Sequence, residues 1–152
     1  MAEHSILNTS AGGPEDGARR PGEGVRSTFV STFEEAVVSH AIWRANFVDL
    51  VRNGGGGLDV EVVGRENVCP LGRWLTGEGQ EAVGNAVAHR MLCNVHAEFH
   101  TEAARVLSLA QSGRIKEALH VMESDQPYGT WSTTLVAALS QYANSFGDAA
   151  AG

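Results

Sequence analysis

The segment His96-Ala97-Glu98-Phe99-His100 contains two histidines at a spacing that can bind a metal ion. On a helix, residues four positions apart lie on one face about a turn apart, so both imidazoles can reach the same ion. The ordinary alternative is a pair of partly buried polar residues that are satisfied by hydrogen bonds. The pair alone is therefore a weak signal for a metal site.

Two residues elsewhere in the chain strengthen this signal. His40 lies within the apolar stripe of a predicted helix, where an unpaired imidazole would cost free energy. Cys69 directly precedes Pro70, which suits the first position of a helix, so the cysteine is expected at the helix cap. Three histidines and one thiolate make a complete tetrahedral set of zinc ligands.

Apolar residues recur at intervals of three and four along most of the chain, which is the pattern of helices with one buried face. In the first helix this stripe includes His40, which is therefore expected to face the interior. Pro127 suits the first position of a last helix, and Gly113 follows the end of the longest one. The predicted helices cover about residues 28–53, 70–75, 80–111, 114–124 and 127–146.

Residues 54–68 form an irregular excursion between the first two long helices. It begins with a run of glycines, and Val60, Val62 and Val63 are expected to form at most a short extended piece. We find no convincing β pattern and no internal repeat. Short connections between helices favour antiparallel neighbours, so the predicted fold is all-α, an antiparallel four-helix bundle with a short extra helix and this irregular loop.

Length, charge and hydrophobicity limit the class of protein. The 152 residues suffice for one domain, and 43% of them are hydrophobic, which supplies a core. The net charge of −7 argues against a nucleic-acid partner. No apolar run has the length of a membrane span or a secretion signal, so we expect a cytoplasmic protein without a membrane partner. The predicted organisation is a disordered arm at 1–28, a domain at 29–147 and a flexible tail at 148–152.

Three motifs, in their order along the chain, resemble the bacterial chemoreceptor zinc-binding domain family. They are a histidine followed by a tryptophan in His40-Ala41-Ile42-Trp43, a Cys-x-x-Gly-x-Trp element at residues 69–74, and the final His-x-x-x-His at residues 96–100. The resemblance covers about residues 29–146. Carried over by position, the resemblance implies that each chain binds one Zn²⁺ through His40, Cys69, His96 and His100. It also implies that the helical bundle usually forms a homodimer.

The resemblance also implies a signalling context. In that family the domain is cytoplasmic and typically attached to a chemoreceptor or a diguanylate cyclase, to which it reports zinc or oxidant. This implies a role in bacterial chemotaxis or cyclic-di-GMP signalling, with such a protein as the partner. Residues 1–152 leave no room for either attached module, so we expect a stand-alone sensory or regulatory domain.

A closed shell of three histidines and one cysteine leaves no coordination position for a water nucleophile, which favours sensing or structure over enzymatic activity. Zinc and the helix start would hold Cys69 as a thiolate, and its oxidation to sulfenic acid would weaken the bond to zinc. Cys69 is therefore the predicted redox-sensitive residue. The open alternative is a permanent structural zinc, in an adaptor protein, that pins residues 54–68 to the bundle. A di-iron bundle is disfavoured, because residues 127–146 contain no His, Asp or Glu.

Three further residues flank the predicted ligands. Trp43 and Trp74 either shield the site from water or simply pack in the core. Gly72 either allows a close approach of the short helix to a neighbour or is an ordinary tolerated glycine. Cys93 and His89 lie near the same helix face as the histidine pair but are not expected to be ligands. We expect Cys93 to be a small buried hydrophobic residue and His89 to lie at the solvent edge.

Overall fold

The computed structural model describes the backbone of residues 23–150 and the side chains of residues 33–144. Within this range the secondary structure is helical without strands, which confirms the all-α prediction. No helix of the described range is long and apolar enough to cross a bilayer. The helices in chain order are α1 (Glu23–Arg52), α2 (Val60–Val63), α3 (Pro70–Thr76), α4 (Glu78–Val83), α5 (Ala86–Gln111), α6 (Ile115–Val121) and α7 (Pro127–Ala150).

Helix α5 lies at the centre of the molecule, because it contacts all six other helices. Phe99 of α5 is fully buried, and its ring centroid lies 5.2 Å from that of Tyr128 on α7. Phe47 of α1 completes this contact at 6.0 Å from Tyr128. Such aromatic packing fixes the relative positions of α1, α5 and α7 next to the histidine pair.

The first and the last helix of the structure, α1 and α7, are both longer than the sequence predicts. Helix α1 begins at Glu23 rather than at Thr28, so the last residues of the predicted arm belong to this helix. Helix α7 continues to Ala150, beyond the predicted end at Phe146. The rest of the predicted arm, residues 1–22, and the last two residues of the predicted tail lie outside the described residues.

Residues 54–68 contain one turn of helix, α2, so the extended piece predicted there is wrong. The Asp59 side chain caps this turn by accepting hydrogen bonds from the backbone N–H groups of Glu61 at 2.8 Å and Val62 at 3.3 Å. A cap of this kind satisfies donors that the start of a helix otherwise leaves without partners. The capped turn forms although valine is enriched in strands, because β propensity depends on a neighbouring strand that is missing here.

The long helix predicted over residues 80–111 is in fact two helices, α4 and α5. They are separated at Gly84, whose φ of 61° lies in the left-handed region that favours glycine. Asn85 then caps α5 by accepting hydrogen bonds from the backbone N–H groups of Val87 at 3.0 Å and Ala88 at 3.2 Å. The break leaves the histidine pair within one uninterrupted helix of 26 residues.

Helix α3 begins with a close contact between main-chain segments at Gly72. A Cβ atom added to Gly72 would overlap the carbonyl oxygen of Glu66 and lie 3.1 Å from the Cα of Asn67. Main-chain groups cannot turn away as a flexible side chain can. Of the two interpretations of Gly72, the structure therefore supports the close approach.

Helix α7 begins in the same way. A Cβ atom added to Gly129 would overlap the carbonyl oxygen of Glu123 and lie 2.7 Å from the Cα of Ser124. The two helix starts share the pattern Pro-x-Gly-x-Trp, at residues 70–74 and 127–131. This shared motif covers a single helical turn and is too short to be an internal repeat of the kind the sequence was searched for.

Candidate metal centre

Three elements bring the four predicted ligands together. His40 lies on α1, Cys69 is the residue that caps α3, and His96 and His100 lie on α5. One ligand atom from each residue lies within 4.8 Å of those of the others. The three histidines are buried and Cys69 is half-buried. Residues separated by 29 and 27 positions in the chain thus form one compact polar group in the apolar interior.

The ligand atoms are spaced nearly as they would be around a tetrahedral ion. The Nε2 atom of His96 is 3.2 Å from Sγ of Cys69 and 3.1 Å from Nε2 of His100. Zinc–nitrogen bonds of about 2.0–2.1 Å and zinc–sulfur bonds of about 2.3 Å place tetrahedral neighbours about 3.3–3.6 Å apart. These two pairs therefore need only small outward shifts to hold a zinc ion, and the group as a whole lies within 4.8 Å, so its wider pairs would have to move closer together.

His40 supplies an independent test of that fit. Its Nε2 atom is buried and has no hydrogen-bond partner among the described residues. A buried polar atom without a partner costs free energy. The His40 ring lies 5.7 Å from that of His96 and 6.2 Å from that of His100, measured between centroids. An ion held by the other ligands would satisfy this atom.

A backbone carbonyl orients the His100 ring. Nδ1 of His100 lies 2.7 Å from the carbonyl oxygen of Val63, to which it donates a hydrogen bond. In a neutral imidazole a proton on Nδ1 leaves a lone pair on Nε2, the atom that faces the other ligands. No sequence pattern singles out Val63, because the contact depends on the conformation of α2.

The Cys69 sulfur is held by the start of α3. Sγ accepts a hydrogen bond from the backbone N–H of Gly72 at 3.2 Å, and the Sγ atom lies 3.7 Å from the carbonyl oxygen of Glu66. The residue is extended, with φ of −79° and ψ of 158°, as expected for a helix cap. The predicted cap position is therefore correct, and it aims the sulfur at the histidines.

Burial keeps the ligand imidazoles neutral. It lowers the pKa of His40 to about 4 and that of His96 to about 3, and the neighbouring His100 adds to both shifts. Burial also lowers the pKa of His100, although the Val63 carbonyl opposes that shift. At neutral pH all three rings can therefore offer lone pairs to a cation without first losing a proton.

The protein matrix alone does not make Cys69 a thiolate. Burial raises the pKa of the Cys69 thiol, and the backbone N–H of Gly72 opposes the shift without cancelling it. The expected contribution of the helix start is therefore real but smaller than the cost of burying the charge. A bound cation has to displace the thiol proton, because a coordinated sulfur is deprotonated.

We expect the metal-free protein to lose stability as the pH falls from 7 to 5. In the unfolded chain the pKa of His40 and His96 is near 6.5, well above the folded values, so the unfolded state binds more protons in this interval. The loss should be about 2 kcal/mol for each ring. Urea unfolding with a chelator at both pH values measures it. A His96→Asn variant should lose less stability, and equal stability of the original protein at both values would contradict the argument.

Trp43 and Trp74 have different surroundings. The Trp43 ring stacks on Phe47 at 4.7 Å and lies 6.1 Å from the His100 ring, so it borders the ligand group. Trp74 is 4% exposed and its ring lies 5.0 Å from that of Phe33, away from the ligand rings. Of the two expected shields, Trp43 is in place to exclude water and Trp74 belongs to the core.

Cys93 and His89 lie outside the four-residue group. The Cys93 sulfur is 3.6 Å from Nε2 of His89, and that nitrogen is 2.6 Å from the carbonyl oxygen of Leu75. The short contact is a hydrogen bond from His89 to the end of α3. His89 therefore has a structural role, because its ring nitrogen makes this hydrogen bond. Both residues are half-buried, so they lie at the edge of the core.

The buried group of three histidines and one cysteine, contributed by separate helices, has the composition of a closed-shell metal site and could hold a metal ion. Residues 40–107 match the model of the chemoreceptor zinc-binding domain family, so this segment of the chain is similar to that family. The matched segment begins at the first ligand, His40, and contains the other three. Comparison with curated proteins and with solved structures gives no match.

Proposed function

We propose that this domain is a zinc-binding sensory or regulatory module that responds to zinc or to an oxidant and signals through protein contacts. The observation that carries the proposal is the compact group of three histidines and one cysteine within the family segment. Zinc, when bound, holds the sulfur of Cys69 as a thiolate and links three helices. The proposed stoichiometry is one Zn²⁺ per chain.

The donor set supports zinc and a role without catalysis. Imidazole and thiolate donors suit zinc, whereas magnesium and calcium prefer oxygen. The group contains no carboxylate, which disfavours the di-iron alternative. Four protein donors complete a tetrahedral shell and leave no position for a substrate or a water nucleophile. We therefore propose that the domain is not an enzyme.

The placement of the ligands supports signalling through α1 and α3. His40 is the ligand from α1, and Cys69 lies at a loop boundary, where its sulfur can leave the ion without unwinding a helix. Release of either residue would remove the metal link between its helix and α5. We place this response in the bacterial cytoplasm, in chemotaxis or cyclic-di-GMP signalling, with a chemoreceptor or a diguanylate cyclase as partner. The acidic net charge of −7 supports a protein rather than a nucleic-acid partner.

A permanent structural zinc in an adaptor protein is the second candidate function. It is favoured by the bond from His100 to the Val63 carbonyl, which ties α2 and its loop to the metal group. The two functions differ in how the metal responds to oxidant. In a sensor, a mild oxidant oxidises Cys69 and zinc is released, whereas the Cys69 of a structural site resists the same oxidant and the zinc stays bound.

We expect mild hydrogen peroxide to modify Cys69 before Cys93 in the zinc-loaded protein and to release zinc in parallel. Zinc holds Cys69 as a thiolate, whereas burial, followed by the charge of Glu66, raises the pKa of the Cys93 thiol. The thiolate is the form that oxidises. Mass spectrometry of the two cysteine peptides and a zinc-sensitive dye follow the two events.

The matched control for this experiment is Cys93→Ser, which should release zinc at the same rate as the original protein. Modification of Cys93 with zinc retained would contradict the oxidant response. That result would leave the structural-zinc function.

An apolar groove between α1 and α7 supports self-association. Phe33, Val37 and Leu139 line it together with Val38, which is 56% exposed, and Val136, which is 45% exposed. Exposed apolar surface of this kind marks protein contacts. We propose that a second copy of the chain covers the groove and forms a homodimer.

We expect the Val38→Glu/Val136→Glu double variant to be monomeric at micromolar concentrations at which the original protein is a dimer. Four buried carboxylates at a symmetric interface would be desolvated and would repel one another. Solution scattering gives the mass of each protein. Val87→Glu, a change at a 73% exposed position of α5, is the control and should stay dimeric. A monomeric original protein would exclude the homodimer.

A further inference from the structure

The α1 side of the apolar groove between α1 and α7 has a symmetric arrangement of residues. Four of the residues that line it are Glu34, Val37, Ala41 and Arg44, which are spaced by three, four and three positions and therefore share one helical face. Glu34 and Ala41 are exposed, and Val37 and Arg44 are half-buried, so this face is open to solvent. The spacing is symmetric about the level of residue 39 on the helix axis.

This symmetry allows the face to pack against a second copy of itself. A two-fold axis at the level of residue 39 would place the two α1 helices antiparallel, and residue i would then contact residue j of the partner while j contacts i. Val37 would lie opposite the partner's Ala41, because both are two positions from the axis level. A large side chain would thus meet a small one at both central contacts, which lets two helices approach closely.

The charges of the groove follow the same symmetry. Glu34 and Arg44 are the two residues of the acidic or basic type in its lining, and they lie at opposite ends of the face, ten positions or about 15 Å apart. The ion pairs of residues 33–144 include neither of them. In the antiparallel arrangement each is five positions from the axis level, so Glu34 faces the partner's Arg44 twice.

We propose that the homodimer forms by antiparallel contact of the two α1 helices, with Glu34 of each copy paired to the partner's Arg44. The inference rests on the proposed homodimer and assigns its register and the residues that set it. Opposite charges beside an apolar contact select the orientation of paired helices. A parallel arrangement in the same register would place each charge opposite its own copy, which like-charge repulsion disfavours.

The test reverses each charge and measures the dimer dissociation constant by analytical ultracentrifugation. Glu34→Arg places a cation opposite the partner's Arg44, and Arg44→Glu places a carboxylate opposite the partner's Glu34. We expect each variant to dimerise at least about tenfold more weakly than the original protein. The Glu34→Arg/Arg44→Glu double variant restores opposite charges and should recover the original affinity to within about threefold.

A mixture of the two single variants gives a second rescue, because every arginine at the interface then faces a glutamate and a heterodimer should form. Glu35→Arg is the matched control. It makes the same change of charge on the same turn of α1, but Glu35 does not line the groove, so this variant should dimerise like the original protein.

The structure also provides for a variant that fails to fold. Arg44 is half-buried and interacts with the Tyr128 side chain, so the fold of Arg44→Glu is checked by circular dichroism. If this variant is unfolded, Glu34→Arg/Arg44→Gln takes its place. This double variant should dimerise more tightly than Glu34→Arg alone, because the facing cation has been removed.

The outcomes separate this inference from the proposed homodimer. If the original protein is a dimer and Glu34→Arg dimerises like Glu35→Arg, the charge pairing is overturned and the homodimer stands. Failure of the folded double variants to regain affinity leads to the same conclusion. A monomeric original protein would remove the homodimer itself.

Discussion

The Cys69→Ala and His100→Ala proteins are each expected to bind zinc about 100- to 1,000-fold more weakly than the original protein. Structural zinc sites with four protein ligands have apparent binding free energies of about 10–16 kcal/mol, so an equal share for one ligand in four is about 2.5–4 kcal/mol. Removal of either side chain also leaves the remaining buried polar atoms without their shared cation. Competition with a zinc chelator of known affinity measures the change.

The controls for this prediction are His89→Ala and Cys93→Ala. Both residues lie on α5 near the metal group, but neither belongs to the four-residue group. We expect elemental analysis to give one zinc per chain for both controls, as for the original protein. Full zinc occupancy in Cys69→Ala together with loss in either control would show that the ligand assignment is wrong.

Gly72→Ala is expected to destabilise the protein by about 3 kcal/mol or more, which is the range for overpacking that the structure cannot relieve. The new methyl group would overlap the carbonyl oxygen of Glu66, and relief requires a shift of the main chain before α3. That shift would also move Cys69, whose sulfur accepts a hydrogen bond from the backbone N–H of Gly72. Zinc affinity should therefore fall together with the free energy of unfolding.

Urea unfolding in the presence and absence of a chelator measures both effects. The matched control is Gly56→Ala, because a Cβ atom at Gly56 would meet nothing within 4 Å and its φ is not positive. This control should change stability by less than about 1 kcal/mol, with a small gain from the stiffer unfolded chain. Equal stabilities of the two variants would contradict the packing argument.

The proximity of these four residues could be predicted from the sequence because each of them carries a local signal. Cys69 precedes a proline, His96 and His100 share a helical face, and His40 interrupts an apolar stripe. These signals depend only on residue type and on spacing within one element. The four residues are expected to come together because polar atoms buried in an apolar interior need polar partners.

Other features could not be predicted because they depend on competition between elements. The turn of α2 forms where valines suggested an extended piece, since Asp59 caps it and residues 23–150 contain no strand to pair with it. The break at Gly84 falls where the apolar register continues, so periodicity alone does not reveal it. The contact between Val63 and His100 requires both the helical turn and the position of α5.

The repeated turn at the starts of α3 and α7 shows which part of the Cys69 geometry comes from the backbone. At α7 the residue that corresponds to Cys69 is Gln126, and its carbonyl accepts the hydrogen bond that closes the first helical turn, from Thr130 at 2.8 Å. In α3 the Cys69 carbonyl accepts the equivalent bond at 3.0 Å.

Since the same backbone forms at α7 around a glutamine, the turn does not require a metal ligand in order to fold. The backbone position of Cys69 is therefore set by the fold of α3 and not by the side chain at the cap. An ion that binds such a site has little chain to order, so the entropy lost on binding is small. Metal exchange can then proceed through motion of a single side chain, with α3 intact throughout.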